Sequence, residues 1–210
     1  MRDSPWCSHP GGKMKIIFAT GNKDKLKEIK RIFEDTGYEV VSMKEAGFDE
    51  DIEETGETFE ENSYIKAKAI WDKTGGLVMA DDSGFMVDYL NGAPGVYSAR
   101  YLGEDADYDT KCRGILKALE GVPKEKRGAR FVSVITAILP DGRVLTAEGA
   151  LQGIVNDRME GENGFGYDPI LYIPGIGRTT AQISMDEKNA ISHRGKALKL
   201  MREKLLKAFE

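Results

Sequence analysis

Apolar positions along this chain follow two spacings, which separate candidate strands from candidate helices. Short apolar runs bounded by turn residues predict buried strands at 15–20, 38–43 and 77–80. Helical spacing of apolar residues, or a helix-capping signal, predicts helices over 23–36, 58–73, 106–120 and 192–208. Thr58 and Glu61 have the spacing of a capping box, which supports a helix start at this point. The first half of the chain therefore alternates between strands and helices.

A long antiparallel hairpin is predicted in the second half of the chain. Two β-rich runs, 129–140 and 143–155, flank the dipeptide Asp-Gly, which is a strong hairpin signal between such runs. A further strand is predicted near 169–173. Strand-helix units combined with a hairpin predict an α/β or mixed α+β fold with a mixed sheet. A purely parallel, doubly wound sheet is disfavoured.

The composition is that of an ordinary globular protein. Of the 210 residues, 40% are hydrophobic and 31% are charged. No apolar run approaches the roughly 20 residues that span a bilayer, so we expect a cytoplasmic protein without a membrane partner. Residues 1–13 contain Pro and Gly without periodicity, and we interpret them as a flexible leader or expression remnant before a single domain over 14–210.

Net charge and cysteine content narrow the possible ligands. The formal net charge of -5 gives no general attraction to polymeric nucleic acid, whose binding depends on neutralising phosphates. A phosphorylated ligand would therefore require locally placed cations or a metal ion. Cys7 and Cys112 lie far apart and belong to no Cys/His pattern, so we predict two free thiols and neither a disulfide framework nor a zinc site.

The turn between the first strand and the first helix is a candidate phosphate site. Its sequence is TGNKDK, from Thr20 to Lys25. The start of a helix presents backbone N–H groups to an anion, and Lys23 or Lys25 adds positive charge. The P-loop pattern is absent, and a simple helix cap by Asn22 explains the same residues. The spacing alone leaves both interpretations open.

Two acidic stretches are candidate metal ligands. Residues 48–57 carry a run of carboxylates, although such a run is usually a solvated surface. Asp81 and Asp82 follow the predicted strand at 77–80, where open α/β sheets bind ligands. Because side chains alternate along extended backbone, we expect only one of these two to do chemistry, and a turn cap is the alternative. Oxygen ligands of this kind suit magnesium bound jointly with phosphates.

Two later motifs are candidate nucleoside contacts. In GFGYDPIL, two glycines flank Phe165 and would let the backbone approach a planar ligand closely, so that Phe165 or Tyr167 could stack on a base. A turn with an aromatic anchor explains this motif equally well. In EKNAISHRGKAL, His193 and Arg194 begin the last predicted helix, where a pair of polar residues is more often a surface feature than a site.

Taken in order, six stretches of the sequence resemble the family of inosine/xanthosine triphosphate pyrophosphatases. They read FATGNKDKLKEI, EETGETFEENSYIKAKA, ADDSGF, LNGAPGVYSARY, GFGYDPIL and EKNAISHRGKAL. The resemblance extends from Met14 to the C-terminus. It implies an elongated mixed sheet flanked by helices in two lobes, a central cleft and a homodimer. It also implies magnesium-dependent hydrolysis of ITP, dITP and XTP to the monophosphate and pyrophosphate, which would cleanse the nucleotide pool.

The same resemblance implies roles for individual residues. Asp82 would be the acid-base residue and, together with Glu53, would hold Mg²⁺. The triphosphate would be bound by the turn residues Thr20, Gly21, Asn22, Lys23, Asp24 and Lys25. The rest of the nucleotide would be surrounded by Ser83, Phe165, Gly166, Tyr167, Asp168, Lys188, His193 and Arg194. Two rival functions are a related pyrophosphatase for other modified or standard dNTPs and a nucleotide-binding regulator without catalysis.

Overall fold

The structure is a computed structural model that describes residues 14–34 and 36–209. The predicted leader and Cys7 lie outside the described residues. The strands are β1 (Met14–Phe18), β2 (Tyr38–Ser42), β3 (Leu77–Val87), β4 (Gly128–Ile138), β5 (Val144–Val155), β6 (Leu171–Ile173) and β7 (Arg178–Thr179). The α-helices are α1 (Lys23–Ile32), α2 (Phe59–Thr74), α3 (Tyr108–Ala118), α4 (Met185–Ile191) and α5 (His193–Phe209). None of the described helices is long and apolar enough to cross a membrane.

The strands form one mixed sheet in the order β2-β1-β3-β4-β5-β6-β7. Strand β1 is parallel to both β2 and β3, whereas β6 is antiparallel to both β5 and β7. The predicted hairpin turn is confirmed, because the Gly142 N–H donates to the Leu139 carbonyl at 2.9 Å and the Leu139 N–H donates to the Arg143 carbonyl at 2.9 Å. The predicted mixed α/β fold is therefore confirmed.

The chain divides into two compact units, and the first contains β1, β2, α1 and α2. It comprises the described residues of Met1–Asp82, Ser133–Glu148 and Ala197–Glu210. Alternation along β1 sends Phe18 into one apolar cluster with Ile29 of α1 and Leu198 of α5. The neighbouring Ile17 enters a second cluster with Ile70 of α2. Helices α1 and α2 therefore cover opposite faces of the same strands.

The second unit is built around an aromatic core. It comprises Ser83–Val132 and Gly149–Lys196. The ring of Phe85 lies 5.1 Å from that of Phe131 and stacks on Tyr167 at 5.0 Å between centroids. Ile115 of α3 and Leu171 of β6 complete this core. The core fixes the segments that carry the candidate nucleoside contacts.

Strand β3 is longer than the sequence predicted. It continues past residue 80 to Val87, so that Asp81 and Asp82 lie within the strand. The turn-cap interpretation of these two residues is therefore wrong. Asp and Gly have low intrinsic strand preference, so the sequence at 81–84 does not indicate that the strand continues. Burial of Phe85 and Val87, both fully inaccessible to solvent, outweighs that preference.

The remaining predictions differ from the structure mainly at the ends of elements. The predicted helices now labelled α2, α3 and α5 agree within two residues at each end, and the Thr58–Glu61 capping box is confirmed. Helix α1 ends at Ile32 rather than at residue 36, before Gly37 with its φ of 60°. Elements β7 and α4 were not predicted, because two and seven residues are too few for a clear periodic pattern.

Candidate active site

Asp81 and Asp82 are adjacent in β3 but contact different helices. The Asp81 Oδ2 lies 2.8 Å from the Lys25 Nζ of α1, and its Oδ1 accepts a hydrogen bond from Ser133 at 2.5 Å. The Asp82 Oδ1 accepts a hydrogen bond from the Lys66 Nζ of α2 at 3.0 Å. Because α1 and α2 cover opposite faces of the sheet, alternation along the strand separates the two carboxylates, as the sequence predicted.

Lys66 and Asp82, both buried, form with the half-buried Glu54 a group that we call the carboxylate cluster. The Lys66 Nζ also donates to the Glu54 Oε1 at 2.5 Å, so that one ammonium joins both carboxylates. The Asp82 Oδ2 is buried and has no hydrogen-bond partner among the described residues. One carboxylate oxygen of Asp82 therefore has no partner among the described residues.

Burial and charge shift the pKa values of this cluster. Burial raises the pKa of Asp82, and the charges of Lys66 and Lys25 offset this only in part. Burial by itself would lower the pKa of Lys66, but the charges of Asp82 and Glu54 outweigh it and raise that pKa. The ammonium of Lys66 is therefore held in its charged form between two carboxylates.

The donor set of this cluster fits a hard cation that is only partly bound by protein. No group of three or more His, Cys, Asp or Glu side chains suited to a metal ion occurs in the part of the chain that the structure describes. Glu54 and Asp82 supply two carboxylates, and the orphaned Asp82 Oδ2 offers a buried acceptor. A cation held here would complete its coordination with water or phosphate oxygens.

The structure brings Glu54 into this cluster and leaves Glu53 outside it. Glu53 is exposed and makes no hydrogen bond or ion pair with the described residues. Sequence reasoning also missed Lys66, although a signal existed. Lys66 lies at helical spacing from Ser63 and Ile70, on the face of α2 that is buried, where an unpaired lysine would be costly.

The turn from Thr20 to Lys25 is a helix cap. The Asn22 Oδ1 accepts hydrogen bonds from the N–H groups of Asp24 at 2.9 Å and Lys25 at 3.0 Å, and Thr20 Oγ1 accepts one from the Asn22 N–H at 3.1 Å. The cap interpretation is therefore confirmed. The exposed residues of the turn are Gly21, Asn22, Lys23 and Asp24. Phosphate binding by this turn stays a prediction, since Asn22 already occupies two of its N–H groups.

Arg194 is a buried cation of the second unit. It is 2% exposed, its Nη2 donates to the Ser83 Oγ at 3.2 Å, and its guanidinium lies 5.7 Å from the centroid of the Phe165 ring. The Phe165 ring is itself partly exposed. Three residues predicted from separate motifs therefore come together in this unit. Their arrangement offers a charged planar donor beside an aromatic face.

A buried ion pair supports the aromatic residue of this group. The Asp168 Oδ2 accepts hydrogen bonds from the Lys188 Nζ at 2.7 Å and from the Phe165 N–H at 2.8 Å. The Asp168 Oδ1 accepts one from Thr180 at 2.9 Å. The Lys188 Nζ lies 4.8 Å from the Phe165 ring centroid. Asp168 and Lys188 therefore fix the position of Phe165. The intervening Gly166 has a φ of 69°, which favours glycine.

The other aromatic candidates lie deeper in the second unit. Tyr167 is 2% exposed and stacks on Phe85, and its hydroxyl donates a hydrogen bond to the Ser98 carbonyl at 2.9 Å. Burial raises its pKa. His193 is 5% exposed and stacks on Phe131 at 4.9 Å. Of the two rings that the GFGYDPIL motif offers, Phe165 is therefore the one that solvent reaches more readily.

The mixed sheet, with Asp82 of its third strand joined through Lys66 to Glu54, has the architecture of a known class of protein. The chain is a member of the Ham1 family, whose pattern matches residues 16–204. The resemblance drawn from the sequence is thereby confirmed. Over 198 residues the chain is 53% identical to the dITP/XTP pyrophosphatase of Caldanaerobacter subterraneus subsp. tengcongensis, covering 94% of this chain and 98% of that one.

Other relatives and solved structures agree with this assignment. The dITP/XTP pyrophosphatase of Bacillus subtilis is 47% identical, covering 92% of this chain and 98% of its own. The structure of the Staphylococcus aureus Ham1 protein superposes with a TM-score of 0.83 at 41% identity, covering 93% of this chain and all of that one. A HAM1 protein from Coxiella burnetii gives 0.84 at 39% identity, covering 92% and 98% of the two chains.

Proposed function

We propose that this chain hydrolyses dITP, XTP and ITP to the nucleoside monophosphate and pyrophosphate. Its relatives over nearly the whole chain carry the name dITP/XTP pyrophosphatase. The observation that carries the proposal within this chain is the buried, unpartnered Oδ2 of Asp82 beside the Lys66 ammonium. Cleavage of a phosphoanhydride requires a positioned carboxylate and nearby positive charge, and this cluster supplies both.

Asp82 is the proposed acid-base residue. Its Oδ1 is engaged by Lys66, so that Oδ2 is the atom that orients a water molecule and accepts its proton. Without a bound cation, burial raises the pKa of this carboxyl. Lys66 holds Asp82 in place and adds positive charge near the phosphates, as Lys25 does from its ion pair with Asp81.

We assign Mg²⁺ to the carboxylate cluster, with Asp82 and Glu54 as its protein ligands. Glu54 replaces Glu53 in this assignment, because Glu54 shares the Lys66 ammonium with Asp82. Bound Mg²⁺ supplies neutralisation of phosphate charge and a template for the attacking water. The remaining coordination positions suit phosphate oxygens and water.

Residues of the second unit are proposed to bind the nucleoside and to select its base. Phe165 offers an aromatic face for stacking on the base, and Arg194 offers a donor to the 6-oxo group of hypoxanthine or xanthine. Adenine carries an amino donor at that position, so the same arginine disfavours it. Contacts from the turn at Thr20, the homodimer and the cytoplasmic location stay predictions.

A panel of nucleoside triphosphates tests the proposal directly. The purified chain is incubated with Mg²⁺ and each of ITP, dITP, XTP, ATP, GTP, dCTP and dTTP, and pyrophosphate and orthophosphate are measured separately. We expect pyrophosphate from the first three at rates well above the others. Orthophosphate as the main product, or equal turnover of the standard triphosphates, contradicts the proposal. Tight ITP binding without any release favours the regulator instead.

A further inference from the structure

Asn62 is a buried amide in α2 that is only half satisfied. It has no solvent exposure, and its Oδ1 accepts a hydrogen bond from the Gly56 N–H at 2.8 Å. Its Nδ2 is buried and has no hydrogen-bond partner among the described residues. A buried donor without an acceptor lowers stability, and an apolar side chain of similar size would avoid that penalty. The hydrogen bond from Gly56 to the amide oxygen therefore indicates a role for this polar side chain other than stability.

The amide oxygen holds one of three consecutive backbone N–H groups before α2. The N–H of Gly56 donates to Asn62, and those of Glu57 and Thr58 donate to the Glu61 Oε2 at 2.7 Å and 3.1 Å. A Cβ on Gly56 would lie 2.7 Å from both the Asn62 Oδ1 and the Glu61 Cβ. The segment therefore lies directly against the first turns of the helix.

This segment carries Glu54, which lies two residues before Gly56. Residues 49–56 have no regular secondary structure, so side-chain contacts have to define the path of the chain. Asn62 and Lys66 lie one turn apart on the same face of α2. Asn62 therefore fixes the backbone next to Glu54, while Lys66 binds its carboxylate at 2.5 Å and Asp82 at 3.0 Å.

We propose that Asn62 is a positioning residue for the carboxylate cluster. Its amide oxygen holds Gly56, and this keeps Glu54 at Lys66 and Asp82 before any metal ion binds. The catalytic consequence rests on the proposed function, whereas the positioning of residues 54–56 does not. Among the described residues, the Asn62 side chain makes its hydrogen bond to Gly56 and none to the carboxylates or the ammonium, so its effect acts through the backbone of Gly56.

Three variants separate this role from general stability. Asn62→Leu keeps the side-chain size and removes the acceptor, and Asn62→Asp keeps an acceptor in the same place. Ser63→Ala is the matched control, because Ser63 is equally buried in α2 but bonds Thr136 instead of the segment. Amide hydrogen exchange at Gly56 is measured without metal or nucleotide. The Mg²⁺ concentration for half-maximal pyrophosphate release from ITP is measured in parallel.

We expect Asn62→Leu to speed exchange at Gly56 and to raise the half-maximal Mg²⁺ concentration about 10- to 100-fold. In Asn62→Asp, exchange at Gly56 should stay slow. Ser63→Ala should change neither the exchange rate at Gly56 nor the half-maximal Mg²⁺ concentration. If Asn62→Leu does not fold, Gly56→Ala is used instead, because the added Cβ would push against the Asn62 Oδ1. Gly56→Ala should likewise speed exchange of the amide at residue 56 and raise the Mg²⁺ requirement.

Unchanged exchange at Gly56, or fast exchange with an unchanged Mg²⁺ requirement, overturns the proposal. A wild type that releases no pyrophosphate refutes the proposed function, and the exchange data then still decide whether Asn62 holds the segment.

Discussion

Asp82 accepts a hydrogen bond from Lys66 through Oδ1 alone, and its Oδ2 is buried without a partner among the described residues. The neighbouring Asp81 differs, since Lys25 engages its Oδ2 and Ser133 engages its Oδ1. Of these two adjacent carboxylates, Asp82 has the spare acceptor that chemistry requires. This asymmetry motivates the first mutational test.

Asp82→Asn should strongly reduce hydrolysis of ITP while leaving the fold intact. An amide cannot accept the proton of a water molecule and is a poorer metal ligand, so we expect turnover to fall by about 10²- to 10⁴-fold. Asp81→Asn is the matched control, and it should lower the free energy of unfolding by about 1–3 kcal/mol with a smaller loss of turnover. Steady-state pyrophosphate release and denaturant melts measure these effects. Equal loss of turnover in both variants would contradict the assignment.

Glu54→Gln should raise the Mg²⁺ requirement of the enzyme by at least about tenfold. The change removes one carboxylate charge from the cluster and nothing from the second unit. Glu53→Gln is the control, because Glu53 is exposed and lacks a partner among the described residues. Activity is titrated against Mg²⁺ for both variants after chelator treatment, which should itself stop pyrophosphate release. A larger effect from Glu53→Gln would favour Glu53 as the ligand, which is the prediction made from the sequence.

Arg194→Ala should lower kcat/KM for ITP more than for ATP and so narrow the difference between them. A donor that faces another donor costs roughly 1–3 kcal/mol, which corresponds to a preference of about 5- to 150-fold for the 6-oxo base. Guanine shares this 6-oxo group, so the ratio of ITP to GTP should change less.

Arg158→Ala is the control for this prediction, because Arg158 is an exposed arginine of the same unit. It should leave all three values of kcat/KM unchanged. If Arg194→Ala lowers the values for ITP, ATP and GTP by one common factor, Arg194 acts on phosphate or on structure and does not select the base.

Gly195→Ala should destabilise the junction between α4 and α5. A Cβ at this position would clash with the Asn189 carbonyl oxygen, which is backbone and cannot move aside easily. Such overpacking typically costs about 1–3 kcal/mol. Gly175→Ala in the same unit is the control, since nothing lies within 4 Å of its added Cβ. Denaturant unfolding should show a loss for the first variant and a change within about 0.5 kcal/mol for the second.

Glu45 should make the stability of the fold depend on pH. The Ser42 N–H at 2.7 Å and then the Lys30 ammonium lower the pKa of Glu45 to about 2 from its usual 4.5. A carboxyl whose pKa is lowered by folding stabilises the folded state at pH values above its pKa in the unfolded chain. This stabilisation is lost as the pH falls from about 4.5 toward 2.

Glu45→Gln should therefore lower the free energy of unfolding at pH 7 by about 1 kcal/mol, a figure reduced for the exposure of this side chain. The difference from wild type should shrink as the pH falls from 5 toward 3. Urea unfolding at several pH values measures it, with Glu39→Gln as an exposed control from β2. A difference that stays constant over this range would show that Glu45 acts through packing.

Local patterns in the sequence determined most of the secondary structure. The capping box of Thr58 and Glu61 and the Asp-Gly hairpin turn join residues close together in the chain, so the sequence predicts them directly. The order of the six motifs also predicted the family, which the comparisons confirmed. Such signals require no knowledge of how distant segments pack.

The tertiary structure alone decided which side chains meet. The sequence cannot distinguish Glu53 from Glu54, because both lie in one acidic run without regular structure. It also cannot reveal that Lys66 of α2 joins Glu54 to Asp82 of β3, since these three residues belong to different segments. Their contact depends on which faces of the sheet the helices cover. That choice comes from burial of the apolar clusters, a long-range effect that no local window of sequence contains.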